Sequence, residues 1–287
     1  MRKNFSRIIQ GCMTWGIWGK NFSTKDISNR IRENVENGIS TFDHADIYGD
    51  YTTEEAFGKA FKHSEISRDD IQLISKCGIQ LINEQRKSFV KHYNYSKDYI
   101  IHQAEQSLTN LQTDYLDLFL LHRPSPLMQI DEISEAIHHL KKSGKIKAFG
   151  VSNFTPRQMD YLSSNLEIEA NQIQCSLTHY APFEDDSLFY HQQHNISTMA
   201  WSPLGGIFKM NEDSKLNKQL DLLADKYSCS TSQIALSWLM GHPAKIYPVL
   251  GTSKPERIKE AIESIEISLE LQDWFLLYEI SRKREVD

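Results

Sequence analysis

Eight short runs of apolar and β-branched residues recur along the 287-residue chain, and longer stretches of helical period alternate with them. The runs read as strands at 7–11, 39–45, 71–78, 116–122, 146–153, 171–176, 196–204 and 245–251. Helices are predicted at 26–37, 54–61, 97–111, 133–142, 156–164, 185–194, 216–240 and 255–265, with a further amphipathic helix within 269–284. Leu116-Asp117-Leu118-Phe119-Leu120-Leu121 is a nearly continuous apolar run, as a strand covered on both faces requires. Strict strand–helix alternation leaves two architectures, a closed parallel (β/α)8 TIM barrel and an open doubly wound sheet. No GxGxxG follows the first run and no GxxxxGK[ST] occurs, which disfavours the open sheet. The expected fold is therefore α/β, a (β/α)8 barrel with an extra C-terminal helix, in one domain spanning 1–287.

Local chemistry supports the helix boundaries. Thr155 followed by Pro156 supplies an N-cap and a proline at the first helical position. Gly38 and Gly144 stand where a helix ends in positive φ. The segment 80–94 interrupts the alternation and carries Arg86, Lys87, Lys91 and His92.

A formal net charge of −6 gives no general reason to expect nucleic acid. No stretch approaches the ~20 apolar residues of a membrane span. Ile8-Ile9-Gln10-Gly11-Cys12, after basic Arg2 and Lys3, is too short and mixed for a signal-peptide core. Four separated cysteines without a CxxC read as reduced thiols, so the expected compartment is the cytoplasm.

Barrel chemistry gathers at the carboxyl ends of the strands. Asp43 and Tyr48 fall there after the second run, Lys76 on the third and His122 after the fourth. Ser152 and Asn153 close the fifth, Gln172 lies on the sixth, and Trp201-Ser202 on the seventh. Gly251-Thr252-Ser253-Lys254 follows the eighth. Taken singly, each has a structural explanation as a solvated, hydrogen-bonded or packing residue; their coincidence on successive strand ends points to a site. His191 and His194 are read as an exposed helix face rather than metal ligands, His138-His139 as solvated helix, and Lys141–Lys145 as a solvated helix end. Cys77 is read as a buried strand cysteine.

Thr41-Phe42-Asp43-His44-Ala45-Asp46-Ile47-Tyr48-Gly49 resembles the D-x-A-x-x-Y-G signature of the aldo-keto reductase superfamily. Ile74-Ser75-Lys76 resembles its lysine strand, Leu120-Leu121-His122-Arg123-Pro124 its LHRP motif, and Phe149-Gly150-Val151-Ser152-Asn153-Phe154 its GVSNF motif. The four occur in order, the likeness runs from about 7 to about 264, and it is nearest to the bacterial predicted-oxidoreductase branch. The resemblance implies an NADPH-dependent reductase of aldehydes or ketones. Asp43, Tyr48, Lys76 and His122 would be its catalytic tetrad: Tyr48 the general acid, Lys76 lowering the phenol's pKa, Asp43 holding Lys76, and His122 positioning the carbonyl.

By the same resemblance NADPH (NADP+) would lie extended across the barrel mouth. Ser152, Asn153 and Gln172 would hold the carboxamide and Trp201 would stack on the nicotinamide. Ser202, Leu204 and Gly205 would pass under the pyrophosphate, and Met13, Thr14 and Trp15 would touch cofactor and substrate. Gly251, Thr252, Ser253, Lys254, Arg257 and Glu260 would bind the adenosine 2′-phosphate end. Relatives often carry lysine at the position of Gly251 and asparagine at that of Ala261; here Lys254 would supply the charge. Trp15, Trp18, Tyr51, Ile79 and Phe208 are candidate substrate-pocket residues. No metal is expected; the partner would be a small carbonyl compound, with no nucleic acid or membrane, and the protein a monomer or weak homo-oligomer. A cofactor-sensing scaffold like potassium-channel β subunits would be expected to carry a long extension ahead of its first strand, here predicted to start near 7. A metal-dependent barrel hydrolase would want clustered His and carboxylate ligands, not a tyrosine and a lysine.

Overall fold

The computed structural model describes residues 5–83, 86–211 and 214–287; Arg2 and Lys3 lie outside them. In chain order the elements begin β1 (Ile9–Gly11), α1 (Thr24–Glu36), β2 (Thr41–Asp43), a one-turn α2 (Tyr48–Tyr51), α3 (Thr53–Lys62) and β3 (Gln72–Cys77). Next come β4 (Ile79–Gln80), β5 (His92–Tyr93), α4 (Lys97–Leu111), β6 (Leu116–Leu121), α5 (Ile130–Lys142), β7 (Ile146–Ser152) and α6 (Pro156–Ser163). The remainder is β8 (Ala170–Gln174), α7 (Ser187–Gln193), β9 (Ser197–Trp201), α8 (Lys215–Tyr227), α9 (Thr231–Met240), β10 (Tyr247–Leu250), α10 (Pro255–Glu263) and α11 (Leu271–Arg282). Strands β1, β10, β9, β8, β7, β6, β3 and β2 form a closed barrel in that order, as the alternation of the sequence requires.

The chain divides into two compact units, Met1–Asn171 and Gln172–Asp287. In the first, β2, β3, β6 and β7 pair in parallel through wholly buried runs such as Leu116–Leu121. Helices α1 and α6 open with capping boxes, Ser23 with Asp26 and Thr155 with Gln158, so the Thr155-Pro156 start is met by geometry. In the second unit, Trp238 of α9 and Trp274 of α11 stack 5.2 Å apart. Each indole N–H donates to the other residue's carbonyl oxygen, at 3.1 and 2.9 Å. That clasp fixes the predicted C-terminal helix.

Three expectations change. The single helix predicted over 216–240 is two: Ser228 takes a left-handed φ of 53° and ends α8, and Ser230 restarts the chain with a capping box to Gln233. The irregular segment 80–94 carries an antiparallel pair, β4 with β5. His191 is not on an exposed face; it is fully buried, and its Nδ1 pairs with Thr198 Oγ1 at 2.8 Å. Among the described residues no helix is long and apolar enough to cross a membrane, and no cluster of three His, Cys, Asp or Glu could hold a metal ion.

Candidate active site

Strand register explains how residues far apart in sequence meet. Asp43 of β2 stands opposite Ile74 of β3, and Lys76, two residues on, shares Ile74's face. Lys76 in turn stands opposite Leu120 of β6, and His122 follows two residues further. Each step climbs two residues, the stagger that closing a barrel imposes.

The Lys76 side chain is 0% exposed. Its Nζ donates to the Asp43 carboxylate at 2.8 Å, to the His44 carbonyl oxygen at 2.7 Å and to Tyr48 Oη at 3.1 Å. An ammonium has three N–H bonds, and three acceptor groups take them. Because the Tyr48 oxygen accepts from Lys76, its own O–H is left to donate elsewhere. The His122 ring lies 6.0 Å from the Tyr48 ring, edge to face, and its buried Nδ1 has no partner among the described residues. The indole of Trp18 lies 6.3 Å from Tyr48 on another side.

The Tyr48 turn is shaped by backbone strain. Gly49, Asp50 and Tyr51 have φ of 59°, 52° and 69°, three left-handed residues in succession. Only the first is glycine, so two side chains occupy a region that disfavours them. A Cβ on Gly49 would fall 2.4 Å from Thr53 Oγ1, which explains the glycine after the tyrosine. The Asp46 and Tyr48 amides donate to the Lys76 and Ala45 carbonyl oxygens at 3.0 and 3.1 Å and tie the turn to β3.

Electrostatics assigns protonation. Burial pushes Tyr48 above its ordinary value; Lys76 acts in the opposite sense but does not outweigh it, so the expectation of a lowered phenol pKa is not met in net direction. Burial alone would lower Lys76, yet Asp43 and Tyr48 more than offset this and keep the ammonium charged. His122 is pushed well below the usual imidazole range by burial, then by Lys76, Arg123 and Lys91. At neutral pH the site therefore holds a protonated phenol, a charged lysine and a neutral imidazole.

His44, Asp46 and Glu54 are buried functional-site neighbours that sequence reasoning gave no role. Both ring nitrogens of His44 lack partners among the described residues, its ring meets Phe57 edge-on at 4.3 Å, and burial takes its pKa to about 3. Glu54 accepts from Ser75, the neighbour of Lys76, at 2.5 Å. Asp46 accepts the Ile47 amide at 2.7 Å. The available signal was polarity: His44 and Asp46 flank Ala45 where a strand end would carry apolar residues.

The neutral state of His44 makes a pH prediction. Its folded pKa lies below the unfolded value of ~6.5, so its contribution is intact above that pH and is lost as the unfolded chain alone takes up the proton. The loss is about 1.4 kcal/mol per pH unit for one group. His44→Phe sacrifices no hydrogen bond and will lose about 2 kcal/mol less than the wild type between pH 7 and pH 5. Urea unfolding at the two pH values measures it; equal losses in both proteins would refute the assignment.

The other predicted site residues divide by unit. In the first, Ser152 is buried at the end of β7, and Asn153, left-handed at φ 61°, donates from Nδ2 to Ser152 Oγ at 2.7 Å. Gly150 allows no side chain, since a Cβ would meet the Ala170 carbonyl oxygen at 2.5 Å. Met13 is exposed, Thr14 half-buried, and the Thr14 carbonyl oxygen accepts the Lys20 amide at 2.8 Å. Trp15 is 1% exposed, and its ring packs on Phe42 and Phe57. Tyr51 and Ile79 pack with Tyr48 in one apolar cluster.

In the second unit Gln172 is buried and Trp201 half-buried. Ser202 and Gly205 are left-handed, and the Gly205 and Gly206 amides donate to Ser202 O and Thr178 Oγ1 at 2.8 and 2.9 Å. Those two N–H groups are thus engaged within the protein, while the Ser202 side chain stays exposed. Leu204 packs on the core of this unit, and Phe208 is exposed. Lys254 caps α10, with Pro255 at its first position, and Lys254 and Arg257 are exposed at that helix start. Thr252 is half-buried, with Oγ1 accepting the Lys254 amide at 3.3 Å, and Ser253 is buried. Gly251 is exposed, and a Cβ there would meet nothing within 4 Å. Glu260, half-buried, accepts from Ser232 Oγ at 3.3 Å.

The eight parallel strands close into a (β/α)8 barrel, and Asp43, Lys76 and Tyr48 meet at its strand ends with His122 beside Tyr48. The sequence pattern of the Aldo/keto reductase family matches residues 7–282, and the chain belongs to that family. It is 40% identical to Oxidoreductase YdhF of Escherichia coli, over 94% of this chain and 92% of that one. It is 38% identical to a 6-dehydroglucose reductase of Agrobacterium fabrum, over 98% and 96% of the two chains. Among solved structures, the thermostable aldo-keto reductase Tm1743 superposes with a TM-score of 0.83, at 24% identity over 98% of this chain and 99% of that one. An aldo-keto reductase from Klebsiella pneumoniae in complex with NADPH superposes at 0.79, with 24% identity over 99% and 92%.

Proposed function

We propose that the protein is a cytoplasmic, single-domain, NADPH-dependent reductase of aldehydes or ketones in which Tyr48 is the general acid. The observation that carries this reading is the three-way donation of Lys76, which joins the Asp43 carboxylate and the Tyr48 hydroxyl through one buried ammonium. A small carbonyl compound is the partner we assign it, and we read the protein as a monomer or weak homo-oligomer.

The residues fit the cofactor at its phosphate end. Lys254 and Arg257 place two exposed cations at the start of α10, where the helix dipole also favours an anion, and Gly251 leaves open room beside them. Thr252 and Ser253 would add hydroxyls. Ser152, Asn153 and Gln172 would hold the carboxamide, Trp201 the nicotinamide face, and Met13 and Thr14 the neighbouring edge; Ser202 would contact the pyrophosphate, with Leu204 and small Gly205 passing beneath it. Trp15 would take part through its backbone alone. When bound, the nicotinamide supplies a hydride to the carbonyl carbon.

The protein's part is the proton. Oxygen gaining negative charge becomes a far stronger base than a phenolate, so Tyr48 gives up its proton only then, even though burial holds it firmly in the resting site. Lys76 neutralises the phenolate left behind, and Asp43 keeps Lys76 aimed and charged. His122, neutral, is a hydrogen-bond donor to the carbonyl rather than a competing acid.

The purified protein will consume NADPH with 4-nitrobenzaldehyde; absence of turnover across a panel of aldehydes and ketones with either NADPH or NADH would reject the reading. At the adenosine end, Gly251→Lys will tighten NADPH binding about fivefold, the scale of one exposed ion pair, and leave NADH binding unchanged. Fluorescence titration with both dinucleotides tests this, and equal effects on the two would remove Gly251 from the phosphate site.

A further inference from the structure

Tyr51 stands three residues beyond Tyr48 and packs in the same apolar cluster, with Ile79, Leu81 and Tyr93. Its hydroxyl accepts the Leu81 amide at 3.1 Å, which fixes the ring. The guanidinium of Arg86 lies over that ring, 3.6 Å from its centroid. Arg68 offers a comparison: it stacks on Tyr115 at 3.9 Å and also pairs with Asp117 at 2.7 Å. Arg86 has the stacking, and the nearby carboxyl it acts on is that of buried Asp46, in the sense that lowers its pKa. It is exposed, its backbone N–H donates a hydrogen bond to Asn83 Oδ1 at 3.0 Å, and its charge faces solvent beside the Tyr48 cluster.

Two further cations stand in the region. Lys91, on the segment between β4 and β5, and Arg123, next to His122, both act on the His122 imidazole in the sense of positive charge. Among the described residues the carboxyl groups that oppose them include Asp50, Asp46 and the buried Glu54 and Asp43. Asp50 is exposed and accepts from Asn83 at 3.3 Å. Asp46 is buried, and burial favours its neutral form. A stacked guanidinium loses little freedom on binding and presents parallel N–H bonds that match a carboxylate.

Resting on the carbonyl-reductase reading above, we infer that Arg86, laid on Tyr51, anchors an anionic group of the substrate, so that the preferred carbonyl compounds carry a carboxylate. Tyr51 receives the body of the substrate, and Lys91 and Arg123 add long-range attraction.

The test compares 3- and 4-carboxybenzaldehyde with their methyl esters, using the full chain and NADPH. The wild type will favour the better acid over its ester about tenfold in kcat/KM, and the advantage will shrink with added salt. Arg86→Gln will bring the acid-to-ester ratio close to one, while Arg86→Lys retains part of it. Calorimetric binding of benzoate against benzamide, with NADP+ present, reads the same contact without turnover. Esters reduced as well as acids, together with benzoate affinity unaltered in Arg86→Gln, would overturn the inference and leave carbonyl reduction standing. Benzoate binding that depends on Arg86, in a protein that reduces no aldehyde, would uphold the anion anchor and reject the reductase reading.

Discussion

Tyr48→Phe will reduce 4-nitrobenzaldehyde about 10² to 10⁴ times more slowly than the wild type, the range that one positioned general acid supplies. NADPH binding will stay within about twofold if, as proposed, the lost oxygen serves only as proton donor; a fluorescence titration alongside the rate assay separates the two. The substitution removes one acceptor from Lys76 but leaves it the Asp43 carboxylate and the His44 carbonyl oxygen, so the ammonium remains held. An undiminished rate would eliminate Tyr48 as the acid. A loss confined to cofactor binding would assign the hydroxyl a different task.

Lys76→Met will have the larger effect on the folded state. Lys76 and Asp43 are both buried and joined at 2.8 Å, so removing the cation leaves a carboxylate without its counter-charge. Breaking a buried pair from one side costs about 3–5 kcal/mol, whereas removing both charges costs much less. The double variant Asp43→Asn/Lys76→Met will therefore unfold at higher urea than Lys76→Met alone, while both stay inactive. If the double variant is no more stable than the single one, Asp43 is not held by Lys76 in the way its geometry requires. The cycle also separates the two roles of the pair, since stability is recoverable and chemistry is not.

The balance of charge around Tyr48 qualifies a simple account of its acidity. A lysine beside a phenol was expected to lower its pKa, and the interaction has that sign, but desolvation is larger. The resting site is thus poised to keep its proton until negative charge appears next to it. In the proposed reaction His122 reinforces this, because an imidazole held neutral is a poor proton donor.

Much of this was legible in the amino-acid order. Alternating buried strands and amphipathic helices specify a barrel, because a parallel sheet needs both faces covered and every crossover needs a helix. Thr155-Pro156 and Ser23 mark helix starts locally, and D-x-A-x-x-Y-G, the lysine strand and LHRP placed Asp43, Tyr48, Lys76 and His122 at strand ends. Tertiary structure decided what no local pattern encodes. Sequence period does not tell whether 216–240 is one helix; the left-handed Ser228 does. An aromatic after a strand can line a pocket or fill a core, and the neighbours Phe42 and Phe57 put Trp15 in the core. His191 is polar by type yet buried because Thr198 satisfies it. The meeting of Asp43, Lys76 and His122 rests on a two-residue stagger between neighbouring strands, a property of barrel closure rather than of any segment alone. Local sequence sets which groups can react; register and burial set which of them touch, and in which protonation state.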